Sequence, residues 1–113
     1  MKEIKAVIQP FMLTKVIGVL KERGEFPGIT VSEVKGFGKT RAEGAEDAVV
    51  EEGILYARKV KLEMVVPDHL VDEVVRLIEG NARTGRPGDG KIFVLPVDDV
   101  VRIRTGERGE DAV

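Results

Sequence analysis

Lys59-Val60-Lys61-Leu62-Glu63-Met64-Val65-Val66 alternates as a half-buried strand does, with Val60, Leu62, Met64 and Val66 on one side and Lys59, Lys61 and Glu63 on the other. Pro67-Asp68 then supplies a helix start, and Val71, Val74, Val75, Ile78 and Ala82 recur as the apolar stripe of a helix. The glycine-rich run Thr84-Gly85-Arg86-Pro87-Gly88-Asp89-Gly90-Lys91 ends that pattern, and Ile92 to Val97 reads as another strand. Upstream the same order is found. Lys2 to Gln9 alternates and stops at Pro10, while Leu13, Val16, Ile17 and Leu20 form a helical stripe that should end near Gly24. Glu25 to Gly28 is a turn, and Ile29 to Phe37 is rich in residues that favour a pleated strand. A doubled strand–helix–strand unit predicts an α+β, ferredoxin-like βαββαβ domain over residues 1–113, with both helices on one face of an antiparallel sheet. Val7, Val65 and the Phe93–Leu95 row make the other face apolar too, which predicts self-association that buries it.

Two stretches stand outside this pattern. Residues 38–58 show no sustained period, and an unstructured connection of that length inside a compact domain is either a flexible solvated loop or a functional one. Val100 to Thr105 alternates, which as a strand would put Arg102 and Arg104 on one face. They are either exposed edge charges or, if placed near Lys91, part of a three-cation phosphate clamp.

The glycine run suggests anion chemistry. Glycines let the backbone N–H groups approach a ligand, and Lys91 sets a cation at the rim. Gly85 to Lys91 satisfies G-x-x-x-x-G-K, but Ile92 stands where a phosphotransferase loop has the Ser or Thr that holds Mg²⁺, and the loop runs from helix to strand instead of strand to helix. Anion binding without phosphotransfer is the expectation. Composition narrows the rest. A net charge of −2 and 4% aromatic residues offer neither a field nor stacking surfaces for nucleic acid. With no cysteine there are no disulfides and no thiolate chemistry. His69 has no second histidine at metal spacing. No apolar run suits a membrane span and no leader pattern is visible, so a cytoplasmic protein without direct membrane insertion is expected.

Val34-Lys35-Gly36-Phe37-Gly38, Lys59 to Glu63, Thr84 to Phe93 and Val101-Arg102-Ile103-Arg104-Thr105-Gly106-Glu107 together resemble the PII signal-transduction proteins, in order and spacing over nearly the whole chain. The resemblance implies a homotrimer whose clefts between subunits bind ATP or ADP, with a T-loop at 38–58, a B-loop at 83–91 and a C-loop at 102–113. It implies that Gly88, Asp89, Gly90 and Lys91 hold the phosphates, that Arg102 and Arg104 reach them across the interface, and that Thr30, Gly36, Gly38, Glu63 and Val65 line the adenosine side. Val7, Lys39 and Thr84 complete the nucleotide set. Thr40 stands where the family has a glutamine for Mg²⁺ and 2-oxoglutarate, whereas Lys59, which would pair with the keto-acid carboxylate, is kept; these are the effector positions, and Mg²⁺ binding is left open. No catalytic or metal-ligating residue is implied. The implied function is a non-catalytic ATP/ADP sensor that regulates a target transporter or enzyme through its T-loop. The alternatives are a PII-like regulator of a non-nitrogen process, such as metal efflux or carbon uptake, with little 2-oxoglutarate response, and a slow ATPase.

Overall fold

The computed structural model describes residues 1–37 and 48–113. Strand β1 (Lys2–Ile8) leads through a short turn at Pro10–Met12 into helix α1 (Leu13–Lys21), and β2 (Thr30–Gly36) follows. After β3 (Ala48–Glu51) and the long β4 (Ile54–Val66), a turn at Asp68–Leu70 opens helix α2 (Val71–Ala82), and β5 (Gly90–Pro96) closes the sheet. Each helix is entered from a proline. Pro10 occupies the first turn at one entry, and Pro67 at φ −60° precedes the other, so the fixed ring torsion starts the chain turning with no amide hydrogen to satisfy. Asp72 and Glu73 in the first turn of α2 complement its dipole.

The strands run in the order β2-β4-β1-β5, with antiparallel pairs throughout. Central β1 and β4 pair from Lys2↔Val66 to Ile8↔Val60, which aligns the buried Ile4, Ala6 and Ile8 with Val60, Leu62, Met64 and Val66. Val16 and Leu20 of α1 and Val74, Ile78 and Ala82 of α2 close over that face as one core. This is the ferredoxin-like arrangement expected from the repeated pattern. On the opposite face, Val7 and Val65 are half-buried and Phe93 and Leu95 exposed, but Glu3, Lys5, Lys61 and Glu63 alternate with them. That surface is mixed, not simply apolar.

Two sequence expectations are corrected. The aperiodic stretch 38–58 ends in ordered structure: β4 begins at Ile54, ahead of the expected Lys59, and forms a hairpin with β3 in the register Ala48↔Ala57 to Glu51↔Ile54. Glu52 (φ 51°) and Gly53 (φ 78°) make the two-residue turn, and positive φ at both positions matches the natural twist of the hairpin. Ala57 pairs with Gly36 on one edge and Ala48 on the other, so β3 occupies the edge that β1 takes further along. The expected strand at Val100–Thr105 is a turn. Only Val101↔Arg108 pair, while the Gly106 N–H donates to the Arg102 carbonyl at 2.7 Å and Gly106 (φ 75°) reverses the chain. Without a neighbouring strand the alternation has no ladder to join, so Arg102 and Arg104 do not share a strand face.

Candidate functional site

The turn between α2 and β5 is held from three directions. Gly90 is locked against β1: at φ +104°, a Cβ on it would lie 1.7 Å from the Val7 carbonyl oxygen. Lys59, buried on β4, donates from Nζ to the Gly88 carbonyl oxygen. The Asp89 carboxylate gathers the turn on itself, accepting from the Thr84 N–H and the Gly85 N–H, each at 2.8 Å, and from Thr84 Oγ1 at 2.5 Å. A fourth donor comes from outside the turn, Gln9 Nε2 at 2.9 Å. Burial pushes the Asp89 carboxyl upward, but the donors from Thr84, Gly85 and Gln9 together outweigh it and hold the group below its ordinary value.

Beside this turn lies a depression of about 380 Å³, lined by Val7 and Phe93 as well as by Lys59, Arg86 and Lys91. Three cations thus share one depression with a glycine turn whose own carboxylate is already occupied by donors. The arrangement suits a phosphate group, since the cationic side chains of Lys59, Arg86 and Lys91 line the same concavity as the glycine turn.

The sequence-derived site residues distribute unevenly. Val7, Gly88, Asp89, Gly90 and Lys91 meet at the depression together with Lys59, and Thr84 braces it through Asp89. By register, Thr30 lies opposite Glu63, Val65 opposite Glu3, and Gly36 opposite Ala57, so these positions share the open sheet face with Val7 and Lys91 without lining the depression. Glu63 faces Lys61 at 3.4 Å. Arg102 and Arg104 follow the far end of β5, neither lines the depression, and Arg102 pairs with Glu107 at 3.2 Å. The expected grouping with Lys91 is therefore not formed within one chain. Gly38, Lys39 and Thr40 lie outside the described residues. Sequence reading missed Arg86 and Gln9. Arg86 was visible inside the glycine run, whereas Gln9 meets Asp89 only through the fold.

Comparison with known proteins gives the family. A family model described as nitrogen regulatory protein P-II matches residues 1–107. Nitrogen regulatory protein P-II of Azospirillum brasilense is 49% identical over 113 residues, covering 100% of both chains. The proteins of the same name from Rhodobacter capsulatus and Microchaete diplosiphon are each 47% identical, again with 100% of both chains covered. With the ferredoxin-like sheet, the glycine turn and these full-length matches together, the chain belongs to the P-II family of signal-transduction regulators.

Proposed function

We propose that this protein is a non-catalytic regulator that senses ATP and ADP at the glycine turn and passes the bound state to a target protein, a membrane transporter being one candidate kind, through residues 38–58. The observation that carries the reading is the set of Lys59, Arg86 and Lys91 around a turn whose Asp89 charge is already hydrogen-bonded. The two nucleotides share one site, and their phosphates decide the outcome. Arg102 and Arg104 complete the site from a neighbouring copy in a homotrimer, because in their own chain they follow the opposite end of β5 from the turn. The working compartment is the cytoplasm.

Calorimetric competition between ATP and ADP tests the proposal. One site per chain is expected, and Lys91→Ala should weaken both ligands about 10- to 150-fold, the cost of one charge-assisted contact. Unchanged binding in that variant would remove the clamp. Phosphate release at saturating ATP separates a sensor from a slow ATPase, and a steady linear release would favour the enzyme.

The Lys59 hydrogen bond favours a second feature. An ammonium that already supports the Gly88 carbonyl serves the nucleotide turn, and a keto-acid would have to compete for it. Together with Thr40 in place of a longer oxygen donor, this favours a regulator with little 2-oxoglutarate response, whether its pathway is nitrogen or another. Titrating 2-oxoglutarate into the Mg-ATP complex should give no heat. Tight binding by the unmodified chain would reject this feature.

A further inference from the structure

Gln9 connects two parts of the molecule that are 80 residues apart in the chain. Its backbone is fixed by β1 on one side and the Pro10 turn on the other, where its carbonyl accepts from the Met12 N–H at 3.0 Å. Its half-buried side chain donates from Nε2 to Asp89 Oδ1 at 2.9 Å and lies 4.0 Å from where a Cβ on Gly88 would stand. The other donors to Asp89, from Thr84 and Gly85, belong to the turn itself. They close the turn but cannot orient it. Beyond the pairing of Gly90 with Ile8 that anchors its end to β1, Gln9 and Lys59 orient it, each arriving from a strand of the core sheet or its continuation to hold adjacent residues, Asp89 and Gly88.

We infer that Gln9 is a positioning residue for phosphate binding, acting through Asp89 to fix the glycine turn against β1. The inference rests on the phosphate reading given above. Its chemistry demands a donor at this place. An amide or an ammonium satisfies the carboxylate, an alanine leaves one of its lone pairs unfilled, and a glutamate sets two acceptors against each other. A turn that must be ordered at the moment of binding weakens its ligand by the cost of that ordering.

The test combines ATP titration calorimetry with amide hydrogen exchange in the ligand-free protein. Gln9→Ala should weaken ATP about three- to tenfold, as expected for loss of one hydrogen bond, and should accelerate exchange at Thr84 and Gly85. Gln9→Lys, which keeps a donor, should restore both. In an Asp89→Ala background, Gln9→Ala should cause no further loss, because its route to the ligand is gone. Equal losses in the two backgrounds would overturn the inference by making Gln9 a direct contact, and unaltered exchange in Gln9→Ala would overturn it by leaving the turn equally ordered. A parent protein that binds no ATP would instead fail the phosphate reading, and the exchange at Thr84 and Gly85 would still decide whether Gln9 holds the turn.

Discussion

Gly90 and Gly85 belong to the same glycine run and both have positive φ, yet only one is enclosed. A Cβ at Gly90 meets the Val7 carbonyl oxygen at 1.7 Å, whereas one at Gly85 meets nothing within 4 Å. Gly85→Ala should therefore cost only the backbone term, about 1–2 kcal/mol. Gly90→Ala adds a collision with backbone and should cost about 2–5 kcal/mol, together with separation of the β1–β5 pair at that end. Denaturant midpoints of the two variants check the ranking, and equal losses would mean that β1 yields to the methyl group. Asp89 gives a second prediction at this scale. Its folded pKa is depressed, so the unfolded chain holds the proton more tightly; the stabilisation is full above about pH 4 and is lost as pH falls through the folded value. Asp68, held low chiefly by its hydrogen bond from the chain's amino terminus at 2.8 Å, acts in the same direction. Asp89→Asn should flatten part of the acid limb in a pH series of melting temperatures. An unchanged limb would mean that the carboxylate's donors are kept equally in the unfolded chain. The glycine run is visible as a turn in its composition, but its tethers are not: Lys59 and Gln9 reach it across 29 and 80 positions, and only the β1–β4–β5 register brings them there.

The hairpin of β3 and the start of β4 shows how an element can be hidden by its charges. Glu51, Glu52, Arg58 and the acidic residues upstream suggested a solvated loop, although Val49-Val50 and Ile54-Leu55-Tyr56 flank a two-residue Glu-Gly turn. The hairpin is tied to β2 and the residue after it by an ion pair between Lys35 and Glu51, by Lys35 4.8 Å from the Tyr56 ring centroid, and by the edge-on contact of Phe37 with Tyr56 at 6.3 Å. Those contacts are made by exposed or half-exposed residues, so each adds little. The turn itself is the better lever. Glu52 has φ 51°, a conformation that asparagine adopts more readily than glutamate. Glu52→Asn should stabilise the hairpin by about 0.5–1 kcal/mol, a fraction of the left-handed penalty, and slow amide exchange in β3 without moving the core. Faster exchange in the variant would mean that the glutamate side chain, not the turn geometry, holds the tip. Val100–Thr105 is the converse case: it alternates like a strand, but with Gly106 and Gly109 both at positive φ the segment turns back on itself.

At the scale of the whole molecule, the repeated strand–helix–strand pattern was enough to fix which residues enter the core, because one face of every central strand is continuously apolar and a one-residue slip would expose all of it. The core pattern does not place Arg102 and Arg104 in the same way, since the segment that carries them joins no strand of the sheet. Lys91 starts near the Ile8 end of β1, while β5 runs about 20 Å away from it before the segment carrying Arg102 and Arg104 begins. If the proposed site is shared, loss of Lys91 in one chain and of Arg104 in another damages different halves. Lys91→Ala and Arg104→Ala homomers should each bind ATP weakly. When equal amounts are unfolded and refolded together, random assortment places an intact turn beside an intact arginine in about one quarter of the sites, as expected for head-to-tail contacts in a closed ring. High-affinity ATP binding should therefore reappear at that stoichiometry, although neither parent has it. A site built within one chain allows no such recovery, because every chain in the mixture carries a defect. Calorimetric stoichiometry of the co-refolded sample distinguishes the two, and its absence in a sample shown by mass to contain mixed assemblies would place both halves in the same subunit.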